Sequence, residues 1–219
     1  MVQLNHTQPS ADPVINEPTT QVVVTPTAQV QPSAEKKIVL LGPGGSGKTT
    51  WFRKVRTGQY GNGAYVATLG VEVHQINVTS SASGVTTTLN VWDTAGNEKF
   101  MGLVENYYIG AQGFVFFLDL RVNDENQVSF GTEISLFLSF LKNHAATIGG
   151  SLPRVIFAFN KTDAVPQENA EQMGVWLNEF ANMISESGSE FGVTDFCILT
   201  MSTKNDTVED LLAPLLQLL

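Results

Sequence analysis

The 219-residue sequence is short of cysteine, of positive charge and of long apolar runs. Cys197 is its one cysteine, which excludes an internal disulfide and a multi-cysteine metal site. The surrounding Asp195-Phe196-Cys197-Ile198-Leu199 reads as a buried strand with an inert thiol, and this usage suits an intracellular compartment. Lys and Arg total 12 against 21 Asp and Glu, a formal net charge of −9. A chain this acidic is not built to hold nucleic acid by neutralising phosphates. No apolar run approaches the roughly 18–20 residues of a membrane span. There is no basic-then-apolar leader, Gly is not the second residue, and no cysteine stands near Leu219, so neither a secretory signal nor a lipid anchor is expected. What is present is a hydrophobic content of 42%, enough for a real core.

Residues 1–34 contain no Lys or Arg and five of the nine prolines (Pro9, Pro13, Pro18, Pro26, Pro32), among many Thr, Gln and Val. Such a stretch buries too little apolar surface to offset its ordering entropy, and a disordered arm is expected. The run Gln21-Val22-Val23-Val24 leaves a partner-binding segment open as the sharper reading.

Residues 35–219 read as one folded domain. Lys36–Leu41 predicts a strand that runs into a Gly-rich loop, followed by a helix from near Thr49 to before Gly58. Val71–Thr79 and Val85–Trp92 predict two strands joined by a Ser/Gly turn. Gly113–Leu120 and Arg154–Asn160 are dense apolar runs, the pattern of strands buried on both faces. Helices are expected over Phe130–His144, over Glu168–Ser185 and from Thr207, with a last strand over Asp195–Met201. Asp206 and Glu209 have the spacing of a capping box for the last helix, and Pro214 should kink or shorten it. This alternation specifies an α/β fold: a six-stranded, mostly parallel sheet with one antiparallel edge strand, flanked by helices.

The loop after the first strand, Gly42-Pro43-Gly44-Gly45-Ser46-Gly47-Lys48-Thr49-Thr50, fits G-x-x-x-x-G-K-[ST] at every fixed position. This is the P-loop NTPase signature. Glycines let backbone N–H groups turn toward a phosphate, and the following helix N-terminus adds partial positive charge. Lys48 should reach the β- and γ-phosphates, and the Thr49 hydroxyl should ligate Mg²⁺. The plainer alternative is a Gly-rich turn without a ligand.

Further elements narrow the nucleotide. Asp93-Thr94-Ala95-Gly96 closes a predicted strand, where ligands bind in open α/β sheets. Asp93 can hold Mg²⁺ through a water, and Gly96 offers a backbone N–H to a γ-phosphate oxygen. Thr68, in Tyr65-Val66-Ala67-Thr68-Leu69-Gly70, can complete the Mg²⁺ shell and touch the γ-phosphate; Tyr60 and Tyr65 are further candidates for cofactor contact. The metal set is thus Thr49, Thr68 and Asp93. Asn160-Lys161-Thr162-Asp163 follows a buried strand. A carboxylate at Asp163 accepts from both N1–H and N2–H₂ of guanine, a donor pair adenine lacks. Asn160 can bridge loops and bond the base, the Lys161 stem can lie over the ring, and Ser202-Thr203-Lys204 can buttress the base through backbone N–H groups. An Asn/Asp turn is the plainer alternative for residues 160–163.

Together these elements resemble the Ras superfamily of small GTPases, a Ras-like G domain, and finer features resemble the Ran family. Tyr65–His74 is similar to the Ran switch I, and Asn90–Phe100 to switch II, with Tyr107-Tyr108-Ile109 continuing the likeness. The resemblance implies GTP/GDP as ligand with Mg²⁺, and protein effectors and regulators bound through regions 60–72 and 93–108. It also implies a monomer found in nucleus and cytoplasm, acting in nucleocytoplasmic transport. Lys48, Thr68 and Asn97 would be the catalytic set. Asn97 stands where the family has the Gln that orients the attacking water. Its amide rides on a stem one methylene shorter, roughly 1.5 Å, so slow hydrolysis is expected. Gly44 keeps room for an activator's arginine. Charge departs from Ran at Gly61–Ala64, which lacks basic residues, and at Gln167–Glu171, which is acidic; both weaken steering toward acidic transport receptors. The alternatives are a GTP-binding scaffold that barely hydrolyses, a Rab-like trafficking GTPase without a lipid anchor, and a small kinase. The kinase reading needs a cluster of arginines, and the chain has four that do not cluster: Arg53, Arg56, Arg121 and Arg154.

Overall fold

The computed structural model describes residues 35–61, 63–79, 84–96, 107–121, 135, 138–139, 153–188, 193, 195–216 and 218. The arm 1–34, Asn97 with most of the second predicted switch, and most of the expected helix 130–144 lie outside these residues.

Six strands form one sheet: β1 Lys36–Leu41, β2 Val71–Thr79, β3 Thr86–Thr94, β4 Gly113–Asp119, β5 Arg154–Asn160 and β6 Phe196–Thr200. The spatial order is β2-β3-β1-β4-β5-β6. β2 pairs antiparallel with β3 at one edge, and every other pairing is parallel. The fold is therefore the expected α/β sheet. Three helices are described: α1 Lys48–Thr57, α2 Ala170–Gly188 and α3 Val208–Leu216. Among the described residues no helix is long and apolar enough to cross a membrane.

The continuous apolar runs are explained by the period of two along a strand. In β1, β4 and β5 alternate residues enter two different cores. Ile38, Leu40, Val115, Phe117, Ile156 and Ala158 pack with Trp51 and Phe52 of α1 and Leu211 and Leu215 of α3. Val39, Leu41, Phe114, Phe116, Val155, Phe157 and Phe159 pack with Phe180 and Ile184 of α2. Each such Val, Leu, Ile or Phe side chain contributes about 1.5–3 kcal/mol on burial. Trp51 is fully buried, and its indole N–H donates to the Leu211 carbonyl at 3.0 Å, tying α1 to α3.

Several boundaries differ from expectation, each for a local reason. β3 runs two residues past Trp92, because Thr94 still pairs with Val71 and its hydroxyl donates to the Leu40 carbonyl at 2.6 Å. α2 starts at Ala170 after a 3₁₀ turn over Gln167–Asn169. The capping box of α3 is Thr207 with Asp210, not Asp206 with Glu209. The Thr207 hydroxyl accepts from the Asp210 N–H at 3.2 Å and donates to its carboxylate at 2.8 Å. Asp206 is occupied elsewhere, accepting the Ser202 N–H at 2.7 Å. Pro214 sits buried inside α3, and the helix ends two residues later.

The parallel strands all end on the same edge of the sheet. Loops 42–47, 95–96, 120–121, 161–163 and 201–206 therefore meet there. That convergence places the site.

Candidate functional site

A cleft of about 520 Å³ opens on this edge, a volume suited to a nucleotide-sized ligand. Five of the chain's 12 Lys and Arg residues line it: Lys48, Arg53, Arg121, Lys161 and Lys204. An acidic protein thus lines this cleft with cations.

The loop from Gly42 wraps one end. Gly47 has φ 104°, and a Cβ there would stand 2.3 Å from Asn160 Nδ2, so only glycine fits. Gly96 approaches this loop closely, since a Cβ on it would meet Gly44 N at 2.4 Å and Lys48 Nζ at 2.6 Å. The Lys48 ammonium is buried and donates to the carbonyls of Gly42 at 2.6 Å and Pro43 at 3.0 Å. Gly44, Gly45, Thr50, Tyr60 and Tyr65 also line the cleft.

Thr49, Thr68 and Asp93 converge although they lie far apart in the chain. The two hydroxyls are 2.9 Å apart. The Asp93 carboxylate is buried, and its Oδ1 has no hydrogen-bond partner among the described residues. Burial pushes its pKa above the ordinary value; the Thr49 hydroxyl and the Lys48 charge pull the other way and do not prevail. These groups fit a hard divalent cation: all donors are oxygen, and the orphaned carboxylate oxygen lacks the partner that a Mg²⁺-bound water would be. Among the described residues no group of three or more His, Cys, Asp or Glu stands together, so water would fill the other positions.

Asn160 is a buried staple between the loop from Gly42 and the loop after β6. Its Nδ2 donates to the Ser46 carbonyl at 2.9 Å, and its Oδ1 accepts from the Lys161 N–H, the Thr203 N–H and the Thr203 hydroxyl at 2.9–3.0 Å. Lys161 adopts a left-handed backbone, φ 69°, and its ammonium donates to the Gly45 carbonyl and to Asp119. Asp163 lines the cleft, exposed, with Oδ1 accepting from the Ser202 hydroxyl at 2.6 Å.

The expected role of Ser202 and Thr203 is corrected by the partners of their N–H groups. The N–H groups of Ser202 and Thr203 are committed inside the protein, to Asp206 and Asn160. Ser202 acts instead through its hydroxyl, on Asp163. Thr203 and Lys204 line the cleft; Gly42, Pro43, Ser46, Asp93 and Ser202 are not among its lining residues.

Asp119 and Arg121 were not singled out by sequence reasoning. Arg121 grips Asp119 with Nε at 3.1 Å and Nη2 at 2.7 Å, and the same carboxylate takes the Lys161 ammonium. Burial works against the Asp119 charge, but bonds from Arg121 and Lys161 outweigh it and hold the carboxyl below its usual range. The available signal was position: Asp119 ends a buried strand and Arg121 follows it, as Asn160 and Asp163 do for the next strand.

Residues 37–163 match the protein family described as Ras of Complex, Roc, domain of DAPkinase. The chain belongs to this family. It is a Roc-type, Ras-like GTPase domain with a P-loop, and guanine-nucleotide binding follows from that membership. The match to the Roc family runs from β1 to Asp163 and is to a Ras-like domain, not to Ran in particular.

Proposed function

We propose that the chain is a Mg²⁺-dependent guanine-nucleotide switch that hydrolyses GTP slowly. The observation that carries this reading is one cleft lined by Lys48, Thr49, Thr68 and Asp163, with the orphaned Asp93 carboxylate against Thr49. The loop 42–50 and Lys48 bind the β- and γ-phosphates, while Asp163, aimed by Ser202, accepts from the guanine edge. Lys161 and Asn160 pin the base-reading loop to the phosphate loop. Thr49, Thr68 and Asp93 hold Mg²⁺, which neutralises charge on the phosphate oxygens when bound. The amide of Asn97 orients the attacking water weakly because it sits one methylene short; a misplacement near 1 Å costs about 10²-fold in rate.

In the region 60–72, Val66 and Leu69 are 76% and 83% exposed, and Tyr65 is 71% exposed. Such apolar exposure beside the cleft suits a surface that effectors and regulators engage when nucleotide orders it. The Ran likeness of residues 65–74 and 90–100 supports a Ran-like monomeric switch of nucleus and cytoplasm. The acidic segment Gln167–Glu171, exposed on the surface, would weaken docking to acidic transport receptors.

Single-turnover hydrolysis of GTP tests the proposal. The expected result is a slow wild type and a large gain in Asn97→Gln; a wild type as fast as ordinary small GTPases removes the Asn97 argument. The second reading, a GTP-binding scaffold, is favoured by the same Asn97. It predicts that Asn97→Gln gains nothing.

A further inference from the structure

Lys54 is a buried cation, 8% exposed, to which the reading of the nucleotide site gives no task. It lies on α1, the helix that begins with Lys48 and Thr49. Its ammonium donates to the carbonyls of Lys204 at 3.0 Å and Asp206 at 2.7 Å, 150 and 152 residues away in the chain. A buried ammonium is costly unless its protons are bonded, so these two contacts are what keep it there. They secure one end of the loop 202–206. At the other end of that loop, Ser202 bonds both the Asp206 carboxylate through its N–H and Asp163 through its hydroxyl. One helix therefore joins the polyphosphate end of the cleft to the loop that aims the base-reading carboxylate.

We infer that Lys54 is a positioning residue for guanine selection, holding the loop 202–206 so that Ser202 fixes the Asp163 carboxylate in line with the purine edge. Removing the ammonium leaves two partly buried carbonyls without their donor, and the loop shifts as water takes its place. Asp163 then loses its fixed direction, and the penalty falls on bonds to the purine rather than on the phosphates. The inference rests on Asp163 being the base reader.

The test compares GDP with inosine diphosphate, which lacks the exocyclic amine and so offers the carboxylate one donor fewer. Affinities of the full chain are measured with Mg²⁺ by competition against a fluorescent GDP, with melting temperatures in parallel. Wild type is expected to prefer GDP, and Asp163→Asn to lose the preference. In Lys54→Met, GDP affinity should fall about tenfold, the scale of one bond to a charged group. Inosine diphosphate affinity should fall less, so the preference shrinks about threefold. Lys54→Gln keeps a polar tip too short to reach both carbonyls and carries the test should the methionine variant fail to fold. A merely structural Lys54 would lower the melting temperature and leave the preference intact in both variants, which overturns the inference alone. A wild type with no preference for GDP overturns the reading of Asp163 and this inference with it.

Discussion

Replacing Asp93 by Asn should change stability in opposite directions with and without ligand. The carboxylate is 1% exposed, and its Oδ1 has no hydrogen-bond partner among the described residues. A buried acceptor left unsatisfied costs about 1–3 kcal/mol, and more when charged. Asn preserves the shape and removes the charge, although its amide hydrogens need partners and take back part of the gain. A net gain of about 1–2 kcal/mol corresponds to roughly 2–8 °C in melting temperature for a domain of this size. The nucleotide-free protein in chelator should therefore melt higher as Asp93→Asn than as wild type. With GDP present, adding Mg²⁺ should stabilise wild type and the variant much less, because the carboxylate charge that attracts the cation and its water is gone. The sign of the pH dependence follows from the direction of the shift. Burial raises the native pKa of Asp93 above 3.8, so its favourable contribution is complete below 3.8 and lost as pH rises through the native value. The apo gap between variant and wild type should accordingly narrow as pH is lowered toward 3.8. Differential scanning fluorimetry across pH, with and without Mg²⁺, measures both effects. A lower apo melting temperature in the variant, or a Mg²⁺ response equal to wild type, would refute the reasoning.

Three further outcomes follow from the same geometry. Gly47→Ala forces a side chain into a left-handed backbone and against Asn160 Nδ2; strain and a broken bond sum to about 2–3 kcal/mol, roughly 30- to 150-fold in GDP affinity by titration. Asp119→Asn should speed GDP release in stopped-flow fluorescence by loosening Lys161. It should also destabilise at neutral pH: the Asp119 contribution is present above 3.8 and lost as pH falls through its depressed native pKa, so the deficit disappears only in strong acid. Trp51→Ala should cost about 3–5 kcal/mol in urea unfolding, and Trp51→Phe about 1 kcal/mol for the bond to Leu211 alone.

The architecture was largely legible because period-two apolar runs and glycine breaks are local signals. Lys36–Leu41, Val71–Thr79 and Arg154–Asn160 emerge as strands with the limits expected. The capping of α3 was not, because Asp206 and Thr207 both have the right chemistry and adjacent positions. The choice falls to Thr207 once the Asp206 carboxylate is taken by Ser202. The role of Ser202 was misread in the same way: whether a serine offers its N–H or its hydroxyl depends on which neighbour has already claimed one of them.

Sequence alone determined that the chain folds as an α/β sheet and carries a phosphate loop, because that chemistry is written in contiguous residues. The spacing of glycines, lysine and hydroxyl from Gly42 to Thr49 survives any tertiary arrangement that puts a strand before it and a helix after. Only the tertiary structure decided which groups serve one another across the sheet. Asp119 reaches Lys161, Lys54 reaches Lys204 and Asp206, and Thr49 meets Thr68. Each pairing joins loops brought together by parallel strand ends. Hydrogen-bond capacity is limited, so a donor spent in one place is withheld from another, and no pattern along the chain states how that competition ends.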